Sequence, residues 1–149
     1  MKISMLFLFL LAFWSVSAIT FDLVVAKDGS GNFFSVQEAI SSIRDFRPEG
    51  RTVIFLKKGI CKEKVVLPTP KTEITLIGEY RDSTIITWND HANINKMGTF
   101  KTFTFLIQGH DIVLENLTIE NNAPRLGQAI ALHVFMKRAH EQSLTPVNN

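Results

Sequence analysis

Residues 73–88 read EITLIGEYRDSTIITW: two runs rich in β-branched residues, separated by a short stretch containing Gly78, Arg81 and Asp82. Each run is of strand length and neither has a helical period. The same texture extends to both sides. TVIFL (52–56) and KVVLP (64–68) precede it, and TFTFLIQG (102–109), DIVLENLTI (111–119) and AIALHV (129–134) follow. Leu76–Gly78 and Ile107–Gly109 occupy similar places, each ahead of another β-branched run. This pattern predicts stacked coils of several short strands, each coil burying its inner row against the next. A β-sandwich can be written with the same runs. It calls for hairpin turns such as Asn-Gly or Asp-Gly between neighbouring strands, and only Asp28-Gly29 offers one, so a parallel β-helix is favoured.

Upstream, Phe21–Ala26 predicts a short strand, and Asp28-Gly29-Ser30-Gly31-Asn32 has turn chemistry. Ser35–Glu38 (SVQE) forms a capping box, in which the Ser35 hydroxyl accepts from the third helical amide and Glu38 reaches back. Phe34 and Ala39 stand where a hydrophobic staple closes it. Val36, Ala39, Ile40 and Ile43 fall at helical spacing and predict a helix from Val36 to about Phe46, lying over an apolar surface.

Lys2, the apolar run Met5–Trp14 and the small residues Val16, Ser17 and Ala18 predict a secretory signal peptide over residues 1–18, too short an apolar run to span a bilayer. The rest, residues 19–149, suits a single folded unit, with no low-complexity linker. Residues 19–134 form the β-rich domain, and residues 135–149 a divergent polar tail. Of the 149 residues only one is cysteine, so Cys61 has no internal disulfide partner, and it is expected as a buried thiol on a strand. The net charge is +2. Lys57, Lys58, Lys62 and Lys64 cluster, as a solvated rim or as a polyanion site.

Several chemistries find no support. GSGNFF lacks the third glycine of a dinucleotide fingerprint and the Lys-Ser/Thr of a phosphate loop. No GxSxG elbow occurs. His91, His110, His133 and His140 lack metal-ligand spacing, so neither a metal nor another cofactor is expected. No basic stripe interleaved with aromatics points to nucleic acid, and no second apolar run points to a membrane after signal cleavage. Asp28, Asp82, Asp90 and Asp111 sit in predicted turns. Asn116-Leu117-Thr118 is an N-glycosylation sequon, although the flanking Leu114 and Ile119 point to a packed strand.

Four ordered blocks carry a family resemblance: VVAKDGSGNFFSVQEAI (24–40), RTVIFLKKGICKEKVVLP (51–68), EITLIGEYRDSTIITW (73–88), and GTFKTFTFLIQGHDIVLENLTIENNAP followed by GQAIALHV (98–134). The chain resembles the N-terminal part of the pectinesterase catalytic domain. The resemblance implies an all-β fold, a right-handed parallel β-helix, truncated here and capped by the short N-terminal helix. It also implies secretion to the plant cell wall and hydrolysis of methyl esters of homogalacturonan, or pectin. In that chemistry one aspartate attacks the ester, a second acts as acid and base, two glutamine amides stabilise the oxyanion, and an arginine fixes the nucleophile. The GQAIAL motif places the first glutamine at Gln128, and the GTF segment places a substrate-contacting threonine at Thr99. For Gln128 the alternative is an inward Gln in a polar ladder. The segments bearing both aspartates and the second glutamine do not occur in this sequence. Cys61 stands where the family has tyrosine, and Phe103 where it has a small residue; both are expected on strands. No inhibitor-like pro-region is read ahead of Val24, and an inhibitor protein as partner is left open. Two expectations follow: a pectinesterase-family hydrolase that is incomplete as written, or a non-catalytic β-helix fragment that at most binds pectin or a wall partner. The fragment is expected to express poorly or aggregate, because an uncapped coil exposes strand edges.

Overall fold

β-branched residues on alternate positions give short strands whose inward side chains form rows, and stacking such strands in parallel requires a corner after each one. The computed structural model describes residues 20–135. The expected signal peptide and all of the expected tail except Phe135 lie outside the described residues. Among those described are ten strands: β1 (Leu23–Val25), β2 (Thr52–Leu56), β3 (Gly59–Lys62), β4 (Val65–Leu67), β5 (Ile74–Gly78), β6 (Thr84–Trp88), β7 (Phe105–Ile107), β8 (Ile112–Glu115), β9 (Thr118–Asn121) and β10 (Leu132–Val134). They form three sheets, ordered β1-β2-β5-β8, β3-β6-β9 and β4-β7-β10. Every strand pairing within them is parallel. Three successive coils therefore contribute one strand to each sheet, with β1 added at one end, which is a parallel β-helix and excludes the sandwich.

Register builds the core. Ile54 stands over Leu76 and Leu76 over Leu114 in the first sheet. Cys61, Ile86 and Ile119 make the matching row in the second, and Val65, Phe105 and Leu132 in the third. Ile54, Val65, Ile74, Leu76, Ile86 and Phe105 are fully buried, so apolar burial holds successive coils together. Cys61 is the buried thiol expected, and burial pushes its pKa up from the ordinary value. DIVLENLTI is two strands, not one, because Asn116 takes a left-handed φ of 52° and turns the corner between β8 and β9. Its amide donates to Gly78 O at 2.8 Å and Glu79 O at 2.9 Å on the coil before.

The two glycine-ended motifs do not occupy equivalent places. Gly78 ends β5 in the first sheet, whereas Gly109 follows β7 in the third. They share a reason instead: a Cβ on Gly78 would lie 2.2 Å from Asn116 O, and one on Gly109 2.0 Å from Lys71 O. Only glycine lets neighbouring coils approach so closely at these corners. Phe103, expected on a strand, falls just before β7, with the Lys64 ammonium 4.7 Å above its ring centroid.

Helix α1 (Val36–Ser42) buries Val36, Ala39 and Ile40. It ends earlier than its periodicity predicts, because Ile43 turns extended and its carbonyl accepts from the buried Lys71 ammonium, which also pairs with Asp45 at 2.8 Å. A tertiary tie outweighs local propensity here. At the other end Ser35 accepts from Glu38 N at 3.4 Å, as a capping residue should. The other first-turn amides are capped by Glu63, whose carboxylate accepts from Ser35 Oγ at 2.7 Å, Val36 N at 3.1 Å and Gln37 N at 3.0 Å. Phe34 is 60% exposed and Ala39 fully buried, so the expected staple is open. The lysine cluster is likewise not a single patch: Lys57 donates to Ser30 Oγ, and Lys64 pairs with Asp90 at 2.7 Å.

Candidate active site

Two connections between strands converge on one side of the β-helix. The longer, residues 89–104, joins β6 to β7 and carries 3-10 turns at Ile94–Lys96 and Thr99–Lys101. The other, residues 122–131, joins β9 to β10 and contains Gly127 and Gln128. Thr99 and Gln128, remote in sequence, are brought into contact: Thr99 Oγ1 donates to Gln128 Oε1 at 2.5 Å. With its oxygen engaged, the exposed Gln128 amide keeps its NH2 as donor. The Gln128 backbone is held as well, its carbonyl accepting from Ala92 N at 2.8 Å.

The surrounding frame is polar and specific. Thr102 Oγ1 donates to Thr99 O at 2.7 Å and accepts from Ile130 N at 3.1 Å, so one buried hydroxyl ties both connections together. Asn121, the last residue of β9, directs its amide nitrogen to Asp90 O, Thr102 O and Ile130 O at 3.0, 2.8 and 3.2 Å. Asp90 is the acidic residue nearest in the chain to Ala92. Its carboxylate is committed to Lys64, which also donates to Lys101 O at 2.6 Å. Phe100, next to Thr99, is 75% exposed, its ring centroid 5.9 Å from that of His133 on β10. Among the described residues, no group of three or more His, Cys, Asp and Glu side chains is placed to hold a metal. No helix among them is long and apolar enough to cross a membrane.

Chemically, this is an outward amide donor oriented by a hydroxyl, beside an exposed aromatic ring. The pectinesterase family profile matches residues 22–141. The chain belongs to the pectinesterase family. Pectinesterase 31 of Arabidopsis thaliana is 39% identical over 127 residues, covering 76% of this chain and 39% of that protein. Pectinesterase 56 of the same plant, a probable one, is 37% identical over 117 residues, with 76% and 39% coverage. Among solved structures, carrot pectin methylesterase superposes with a TM-score of 0.75 at 33% identity, covering 81% of this chain and 38% of that one. Pectin methylesterase PemA from Erwinia chrysanthemi gives 0.70 at 26% identity, with 78% and 40% coverage. A pectin methylesterase in complex with a hexasaccharide gives 0.68 at 26% identity. This pectinesterase-family chain thus spans about two fifths of the length of these relatives.

Ala92 and Phe100 of this pectinesterase-family site were not singled out by sequence reasoning. Ala92 acts through its backbone, which carries no sequence signal. Phe100 was within reach of it, as an aromatic residue directly after the threonine in a polar loop.

Proposed function

We propose that this chain is the N-terminal part of a secreted, cell-wall pectin methylesterase, in which Gln128 donates hydrogen bonds to the oxyanion formed when a methyl ester of homogalacturonan is attacked. The observation that carries the reading is the Thr99 Oγ1–Gln128 Oε1 bond. An amide left to itself can present either its oxygen or its nitrogen. With Thr99 donating to the oxygen, only the NH2 faces an incoming carbonyl, and an oxyanion is stabilised by donors fixed before charge develops. Phe100 adds an apolar face on which a galacturonate ring can lie.

In this scheme an aspartate oxygen attacks the ester carbon and the carbonyl π pair moves onto oxygen, held by the Gln128 NH2. Methanol leaves with a proton from the second aspartate, and water then hydrolyses the acyl intermediate. Neither aspartate is assigned to a described residue. The Thr99–Gln128 contact, with the exposed Phe100 next to Thr99 in the chain, supports a second reading: a non-catalytic coil that binds pectin through Thr99, Phe100 and Gln128.

The test is methanol release from highly methylated pectin by residues 19–149, beside a version extended through a complete family C-terminal part. Activity is expected only in the extended version, reduced there about 10²- to 10³-fold by Gln128→Ala. An extended enzyme indifferent to Gln128→Ala would overturn the oxyanion assignment. Activity of the short chain, abolished by Gln128→Ala, would show that another carboxylate serves as nucleophile.

A further inference from the structure

We infer that Asn93 is a positioning residue for Gln128, acting through the backbone of residues 126–128; this rests on the reading of Gln128 as an amide donor. Three contacts converge. Asn93 Nδ2 donates to Leu126 O. Its neighbour Ala92 donates through N–H to Gln128 O at 2.8 Å. Between them lies Gly127, where an added Cβ would sit 3.2 Å from Asn93 Nδ2, 3.3 Å from its Cγ and 3.4 Å from its backbone nitrogen. Asn93 therefore lies flat against a residue that has no side chain, and residues 92–93 brace residues 126–128 at both ends.

The brace is continuous with the group that orients the amide. The Ala92 carbonyl accepts from Gly98 N at 3.4 Å, and Gly98 directly precedes Thr99. A closed circuit results: Ala92 holds the Gln128 backbone, Gln128 Oε1 accepts from Thr99, and the turn bearing Thr99 returns to Ala92. Asn93 starts the first 3-10 turn of that loop, with φ −86° and ψ −8°. Removing its donor frees Leu126 O, lets residues 126–128 drift from residues 92–93, and lengthens the Thr99–Gln128 bond. Because Asn93 is exposed, this change acts locally and does not open the core.

Asn93→Asp keeps the shape and replaces the donor with an acceptor facing Leu126 O. The experiment follows the side-chain amide signals of Gln128 and Asn121 by 15N–1H NMR of the full chain, with Thr99→Val marking where the Gln128 signal goes when Oε1 loses its donor. Asn93→Asp is expected to move the Gln128 signal toward the Thr99→Val position and to leave the Asn121 signal in place. Gly127→Ala, which crowds Asn93, is expected to move it the same way. A Gln128 signal unmoved in both variants overturns the inference, as does displacement of both reporters together, which would mean general loosening. Titration with a partly methylated galacturonate oligosaccharide separates this from the functional reading. Affinity is expected to fall about fivefold in Asn93→Asp, one hydrogen bond's worth, and no further in Asn93→Asp/Gln128→Ala than in Gln128→Ala alone. A displaced signal with no oligosaccharide binding to the wild-type chain would support the brace and overturn the reading of this chain as a pectin-binding coil.

Discussion

Gln37 and Val66 are joined by both ends of one side-chain amide: Gln37 Nε2 donates to Val66 O at 3.1 Å, and Gln37 Oε1 accepts from Val66 N at 2.7 Å. The amide thus takes the place of one residue of a neighbouring strand. It sits on the edge of β4, the first strand of its sheet, while β1 pairs with β2 at the same end of the β-helix. Strand edges left open are templates for association, and here a helix side chain and a short strand cover two of the three.

The first prediction concerns that cover. Gln37→Leu leaves a backbone N–H and C=O of Val66 without partners, at a cost of about 1–3 kcal/mol. A lower urea midpoint at unchanged m-value is the expected outcome. An unchanged midpoint would mean that solvent satisfies Val66 without loss.

The second prediction is a pH dependence. Burial raises the Cys61 pKa above the ordinary 9.0, so the folded state holds the thiol proton more firmly than the unfolded chain does. This contribution is fully present below pH 9.0 and is lost as pH rises from there through the folded value. Cys61→Ala or Cys61→Val should flatten the stability profile above about pH 9 relative to the wild-type chain. The native thiol should also resist alkylation until the protein unfolds. Rapid native-state alkylation would contradict its burial beside Ile86 of β6.

Most strands were legible because an inner row must be apolar whatever coil it belongs to: TVIFL, EITLIG and STIITW appear almost as read. β3 was harder, since in GICK the outward Ile60 is 63% exposed and Cys61 alone faces inward between residues of mixed character. The helix start was legible from Ser35, but the anion that completes it is Glu63, remote in sequence, not the local Glu38. Its end was not legible, since Lys71 comes from another coil. Thr99 and Gln128 were reachable through the family motif alone. Their contact depends on how two connections fold together, and no spacing encodes it.

The third prediction concerns Asn116. We propose that its side chain serves the corner between β8 and β9, although it lies in a sequon. Its Nδ2, the atom a glycan would modify, donates to both Gly78 O and Glu79 O, and Thr118 Oγ1 is engaged with Arg81 O at 2.7 Å. A glycan leaves one hydrogen on that nitrogen and removes at least one of the bonds. Material from a glycosylating host should show no mass change at Asn116 on enzymatic deglycosylation. Asn116→Ala should cost about 1–3 kcal/mol, having lost two hydrogen bonds at a left-handed position that alanine resists. A stably folded chain carrying a glycan there would overturn the proposal.

The last prediction concerns the opposite end of the stack. Leu132 pairs with Phe105 and Val134 with Ile107, continuing their inner row. Phe105 is fully buried and Ile107 6% exposed, but Leu132 is 42% and Val134 49% exposed. Among the described residues β8, β9 and β10 each stand at the end of their sheet, so apolar side chains and unpaired backbone groups coincide on one face. This combination favours edge-to-edge association. The wild-type chain should self-associate as concentration rises, and Leu132→Lys/Val134→Lys should suppress this, because inward-pointing charges oppose strand addition. Light scattering across a dilution series reads the difference. A wild-type chain that stays monomeric and melts cooperatively, indistinguishable from the double variant, would show that this face is not adhesive.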